Sequence, residues 1–304
     1  MSNLLLANWL TAQTCPLPDG RKLAYTTVGE GYPVVYFHGT ASSRLEVLLL
    51  QKLAECGLRL IGVDRPGYGL STYKPRGSLS DFNGDLNCLA DALGLEKFAV
   101  LGWSGGAVFA LAYLANNPHR VSKAVVVAAP CLPFDVSTAH NTPLAKHLMR
   151  FPKIGEFAMR HLSRQLLKAN GNPQAFLKTP QGKQLLHGCS KTDLAFLHDP
   201  SWVELMYQSM AEAFRQGNGG VRAVIEEHQL FMKPWTLPFE AIREGQLWIW
   251  HGSDDKTCRV QNAYELARSV PSARLEVFGG AGHFVMFENL GRLGQTLLLP
   301  CGNA

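Results

Sequence analysis

Lys97-Phe-Ala-Val-Leu-Gly102-Trp103-Ser104-Gly105-Gly106-Ala-Val-Phe-Ala-Leu-Ala-Tyr-Leu-Ala-Asn116 contains two patterns of different period. The apolar run ending at Trp103 is short enough for a buried strand. Gly105 to Asn117 reads as a helix, stopped by Asn116-Asn117-Pro118. Between them lies the pentapeptide G-x-S-x-G centred on Ser104. A serine at so sharp a strand-to-helix turn is held in a strained backbone, which is why small residues flank it at two places before and after. The turn lifts the hydroxyl above the sheet, and the helix start behind it offers unpaired N–H groups to a developing oxyanion. The pentapeptide alone would also suit a glycine-rich structural turn. Its strand–turn–helix setting points to a nucleophile.

A serine hydroxyl is a weak nucleophile at neutral pH, so this reading demands a base and a group to orient the base. The order expected for such a turn is serine, acid, histidine. Near the C-terminus, Arg274-Leu-Glu-Val-Phe278 reads as a strand, followed by a glycine-rich loop that carries His283. Upstream, Gln246-Leu-Trp-Ile-Trp-His251 reads as another strand, ending in Gly252-Ser253-Asp254-Asp255. Three strand ends thus bring Ser104, a carboxylate and His283 to one edge of a sheet, the edge where open α/β sheets bind ligands. The carboxylate would hold the imidazole N–H and stabilise the imidazolium formed when Ser104 attacks.

These residues carry a resemblance. His38-Gly39-Thr40, Asp64-Arg-Pro-Gly-Tyr-Gly-Leu-Ser71, Gly102-Trp-Ser-Gly-Gly106, Gly252-Ser-Asp-Asp255 and Gly280-Ala-Gly-His283 stand in the order found in serine-nucleophile α/β-hydrolases. The chain resembles that superfamily from about Asp19 to Leu299, apart from the detail of a middle insertion. The resemblance implies a mostly parallel, doubly wound sheet and a triad of Ser104, Asp255 and His283. Asp255 follows from the family's G-x-x-D spacing. Asp254 is then a solvated neighbour, and Asp135 is a weaker alternative because it already lies in the insertion. The resemblance also makes His38 a brace for its loop, with the backbone N–H groups of Thr40 and Gly105 forming an oxyanion hole. His251 and Trp103 read as packing residues beside the sheet.

The 304 residues, 46% hydrophobic with a net charge of +5, can bury one large core and a smaller appendage. Strand-like runs alternate with helical patterns such as Leu45–Cys56 and Ser80–Leu93, as in βαβ units. Seven scattered cysteines without CxxC spacing argue for reduced thiols and a cytoplasmic setting. They also argue against a zinc site. No metal or cofactor is implied. The apolar stretch Leu4–Leu10 lacks the basic flank of a signal peptide and is too short to span a membrane. Its expected place is a short amphipathic helix packed on the domain, with no membrane contact.

Residues 131–240 interrupt the strand pattern, and in the family this insertion point holds a helical lid. The expected organisation is a hydrolase core of 1–130 and 241–304 with a lid of 131–240. Thr142–Arg150, Ile154–Leu167 and Trp202–Gln216 have helical spacing. Nine Lys/Arg and one acidic residue fall between His140 and Lys191, and from Thr192 to Glu240 the balance reverses, with seven acidic residues and three basic. The preferred reading is a solvated face balanced by its neighbour, over one that steers an anionic partner. No nucleic-acid motif accompanies the modest charge, so the expected partner is a small-molecule substrate.

The expected activity is cleavage of a carboxylic ester through an acyl-enzyme on Ser104. Other reactions of the same triad remain alternatives: C–C bond hydrolysis, thioester or amide cleavage, acyl transfer, or cofactor-free peroxidation. A non-catalytic binding protein is disfavoured by the intact residue set. Dehalogenase and epoxide hydrolase readings are disfavoured by the resemblance, since those relatives carry an aspartate where this chain has Ser104.

Overall fold

Alternation along the strands decides the layering. In β3 (Tyr32–Phe37), Val35 and Phe37 join a core on one face of the sheet, while Val34 and Tyr36 join a second core on the other. The same split separates Ile61 and Val63 from Leu58 and Leu60 in β4 (Leu58–Val63), and Val100 from Ala99 and Leu101 in β5 (Phe98–Trp103). A sheet apolar on both faces must be covered on both, as parallel sheets are. The computed structural model describes residues 12–130, 152–169, 173–187 and 189–299.

Eight strands form one sheet in the order β1-β2-β4-β3-β5-β6-β7-β8. The remaining strands are β1 (Gln13–Pro16), β2 (Lys22–Val28), β6 (Val121–Val127), β7 (Leu247–Gly252) and β8 (Arg274–Phe278). β2 runs antiparallel to both its neighbours, and every other pairing is parallel. The ends of β3, β5, β7 and β8 therefore open on the same edge. This is the mostly parallel, doubly wound architecture expected.

The α-helices are α1 (Gln51–Ala54), α2 (Asn83–Ala92), α3 (Gly105–Asn116), α4 (Pro152–Ala169), α5 (Pro173–Leu177), α6 (Pro180–His187), α7 (Lys191–Leu197), α8 (Pro200–Ala213), α9 (Asn218–Phe231), α10 (Gln261–Ser269), α11 (Val285–Glu288) and α12 (Leu290–Leu298). In α3 every residue from Gly105 to Ala115 is buried, as suits a helix apolar all round. Each large side chain there, such as Phe109, contributes about 1.5–3 kcal/mol by leaving water.

The helix expected over Leu45–Cys56 is instead a 3-10 stretch, Arg44–Leu50, followed by the short α1. Arg44 and Glu46 turn inward along with Leu45, Val47, Leu48 and Leu50, so no water-facing side is left for a 3.6-residue period. Of the insertion helices, Ile154–Leu167 falls within α4. The third, expected from Trp202, begins earlier as α8, because Asp199 caps it by accepting from the N–H groups of Ser201 and Trp202, with Pro200 in its first turn. Thr142–Arg150, Leu4–Leu10, Asp135, Cys131 and Cys301 lie outside the described residues. Among the described residues, Cys15, Cys56 and Cys88 are free cysteines. Among the described residues, no helix is long and apolar enough to cross a membrane.

Candidate active site

Ser104 has φ +53° and ψ −126°, a left-handed conformation that costs a non-glycine residue roughly 1–3 kcal/mol. Its neighbours explain the glycines. A Cβ on Gly106 would collide with the carbonyls of Phe37 and His38, and one on Gly102 would press on Gly106 and Ala107. One on Gly105 would collide with Thr40 Oγ1. Thr40 and Gly105, the two expected oxyanion donors, are therefore in direct contact beside Ser104. The Ser104 N–H is tied to Val127 O of β6 at 2.9 Å, which anchors the turn to the sheet.

Asp255 and His283 meet across the loops after β7 and β8. His283 Nδ1 lies 2.8 Å from Asp255 Oδ2, with both residues buried. Because a carboxylate only accepts, Nδ1 carries the proton and Nε2 keeps its lone pair. Asp255 Oδ1 accepts from the N–H groups of Thr257 and Cys258, each at 2.8 Å. His251 Nε2 faces Asp255 Oδ2 at 3.4 Å and Cys258 O at 2.8 Å, so it is a donor. Burial opposes ionisation of Asp255, but His283 and His251 outweigh it and hold the carboxyl far below the usual carboxylate range. Burial would likewise depress the His283 pKa, yet the Asp255 carboxylate raises it above the ordinary histidine value. Asp254 is exposed and accepts from Ser253 Oγ at 2.8 Å. The structure brings Asp255, not Asp254, to the imidazole.

Trp103 is more than packing. Its indole N–H donates to His283 O at 2.9 Å, and the two rings lie 5.1 Å apart. Phe284, Phe287, Phe196 and Trp202 extend this aromatic cluster around the histidine loop.

The loop of His38, Gly39 and Thr40 is held by charges that the sequence reading passed over. His38 is buried, with Nδ1 2.7 Å from Gly39 O and Nε2 3.5 Å from Arg65 N, so it does brace the loop. Burial and the Arg65 cation push its pKa well down, which keeps it neutral. Arg65 Nη1 donates to His38 O at 2.5 Å, while its Nε donates to Glu227 Oε1 at 2.6 Å. Arg76 and Tyr68 donate to the same carboxylate at 2.8 Å each. Burial would raise the Glu227 pKa, but Arg65 and Arg76 pull it down to about 2. On the other side, Glu46 Oε2 accepts from Gly39 N at 2.8 Å and Tyr36 Oη at 2.7 Å. Glu227 could have been found in the sequence. It sits between Val224 and Phe231 on the apolar stripe of α9, where a lone charge implies a buried partner.

A buried carboxylate–imidazole pair can accept a proton from a hydroxyl and return it to a leaving group, and the Trp103–His283 contact brings this imidazole to the residue before Ser104. Among the described residues, no group of three or more His, Cys, Asp or Glu is placed to hold a metal ion.

Known proteins share this fold. The family model of the alpha/beta hydrolase fold matches residues 32–290. A 2-hydroxy-6-oxononadienedioate/2-hydroxy-6-oxononatrienedioate hydrolase from Pseudomonas putida is 26% identical over 289 residues, covering 88% of this chain and 87% of its own. A proline iminopeptidase from Xylella fastidiosa is 26% identical over 286 residues, covering 87% and 88%. An esterase from Exiguobacterium antarcticum superposes with a TM-score of 0.66 at 21% identity, covering 95% of this chain and 98% of that one, which speaks for the fold. The chain belongs to the alpha/beta hydrolase fold family.

Proposed function

We propose that the protein is a serine hydrolase that cleaves a carboxylic ester of a small or medium organic substrate. The observation that carries this reading is the buried His283 Nδ1···Asp255 Oδ2 hydrogen bond at 2.8 Å, at the sheet edge where Ser104 stands on its strained turn. Ser104 Oγ attacks the ester carbonyl as its proton passes to His283 Nε2, and the carbonyl π pair becomes an oxyanion. The backbone N–H groups of Thr40 and Gly105 receive that oxyanion. Collapse expels the alcohol with the proton from His283 and leaves an acyl-enzyme. Water then repeats the sequence and releases the acid. Asp255 keeps the imidazole in the tautomer this requires.

The described part of the insertion, from residue 152 to 240, serves as a lid that excludes water and sets substrate choice. The position of α7, α8 and α9 supports this. Ser209 of α8 bonds to Ser42 and Ser43 at 2.8 and 3.0 Å, and Glu227 of α9 binds Arg65. These contacts lie on the edge that holds the triad. The seven scattered cysteines without CxxC spacing support reduced thiols and a cytoplasmic setting.

Hydrolysis of a C–C bond by the same triad is the second reading. It is favoured by the Pseudomonas putida relative, whose similarity spans most of both chains. A fluorophosphonate probe with a panel of p-nitrophenyl esters of increasing chain length separates the two. Labelling of Ser104 with ester turnover supports the esterase. Labelling without turnover favours the second reading, and no labelling contradicts both.

A further inference from the structure

The loop that carries His283 is fastened by more than its own strand. Three successive backbone N–H groups, those of Gly282, His283 and Phe284, point at the start of α7 in the insertion. Gly282 N donates to Thr192 Oγ1 at 3.0 Å, His283 N to Asp193 Oδ2 at 3.1 Å and Phe284 N to Asp193 Oδ1 at 2.8 Å. Asp193 is itself locked. Its Oδ2 accepts from Ser190 N at 3.0 Å while its own N–H donates to Ser190 Oγ at 3.1 Å, a closed capping box. Asp193 is 1% exposed and Ser190 3%. A Cβ on Gly282 would collide with Ser190 Oγ and Asp193 Oδ2, so glycine is required for this approach. One turn on, Phe196 of the same helix packs against Phe284 and Phe287, with ring centroids 6.0 and 6.2 Å apart.

A capping carboxylate needs only the N–H groups of its own helix. Here both oxygens also reach across to a second loop, on the two residues whose backbone sets the direction of the His283 ring. We infer that Asp193 is a positioning residue for His283, holding the imidazole in register with Ser104 from the insertion. The insertion thereby acts on the chemistry through the backbone of the histidine loop, without a reacting group of its own. This rests on the serine-hydrolase reading above.

The charge of Asp193 also bears on the imidazole. The groups facing His283 are Asp255 from the loop after β7, Asp193 from α7 and Glu46 from the 3-10 stretch, all acidic, with His251 behind Asp255. Burial disfavours the imidazolium, and these carboxylates, Asp255 foremost, outweigh it. Removing the Asp193 charge withdraws support from the cation, so the His283 pKa falls.

The test is Asp193→Asn in the full chain. The amide keeps the shape but turns one acceptor into a donor that faces a backbone N–H. Two quantities are read: the rate of fluorophosphonate labelling at Ser104 and the titration of the His283 ring by NMR. Labelling is expected to slow by about tenfold to a hundredfold, as misplaced catalytic groups typically cause. The His283 titration is expected to move to lower pH. A titration and labelling rate unchanged from wild type would overturn the inference. If Asp193→Asn does not fold, Asp193→Glu keeps the charge but displaces both oxygens from the His283 and Phe284 N–H groups. It should slow labelling severalfold, and an unchanged rate there overturns the inference equally. Absence of labelling in the wild type would count against the hydrolase reading alone, because the NMR titration still decides the role of Asp193.

Discussion

The indole N–H of Trp103 donates to the carbonyl of His283 at 2.9 Å, tying the residue before Ser104 to the backbone of the histidine. One strand end therefore positions both residues of the proposed proton transfer. Trp103→Phe keeps an aromatic ring but deletes the donor and leaves a buried carbonyl without it. Stability should fall by about 1–3 kcal/mol, read by urea unfolding. The loss of alignment should lower kcat more than it raises KM, which steady-state kinetics would show.

The pH dependence follows from the neighbours of His283. The imidazole must be neutral to take the serine proton, and its pKa is raised above the ordinary 6.5. Activity should therefore climb through an acid limb lying above 6.5, with kcat/KM highest on the alkaline side. The stability linked to this group has the opposite sense. It is full below 6.5 and fades as the pH rises through the raised pKa. A kcat/KM profile with its acid limb below 6.5 would contradict the assignment.

Glu227 bridges two buried arginines beneath the loop that carries Thr40. Glu227→Gln leaves Arg65 and Arg76 without their counter-charge and should cost about 3–5 kcal/mol in denaturant unfolding. The carboxyl is held at about 2 against an ordinary 4.5, so its contribution is full above 4.5 and fades as the pH falls towards 2. The variant should lose the corresponding part of the acid sensitivity.

The strands before Ser104 and Asp255 were legible because each is a short apolar run between turn residues, whereas β1, Gln13–Pro16, has no such run. The nucleophile turn was legible because its glycines meet carbonyls and side chains they cannot exchange for bulk. Asp255 came from loop spacing within the resemblance, since two adjacent aspartates look alike until one loop places the second against the imidazole. The grip of Asp193 on the histidine loop was not legible. It spans ninety residues of chain, and an S-x-x-D cap looks complete within its own helix. The 3-10 stretch over Arg44–Leu50 was missed for a similar reason. The partners that draw Arg44 inward, Asp64 and Glu212, are distant in sequence.

The two aspartates can be told apart by activity. Asp255→Asn should lower kcat by about 10⁴-fold, because the amide favours the wrong imidazole tautomer. Asp254→Asn should stay within a few-fold, since its carboxylate bonds only to the exposed Ser253 hydroxyl among the described contacts. Equal losses in steady-state kinetics would show that the loop register has been misread.

The most direct test of the central claim is to locate a fluorophosphonate adduct by peptide mass spectrometry and to measure ester turnover in Ser104→Ala. A single adduct on Ser104 is expected, with labelling abolished in the variant and turnover down by several orders of magnitude while the fold is retained. An adduct on another residue, or a variant that keeps activity within about tenfold of wild type, would contradict the account.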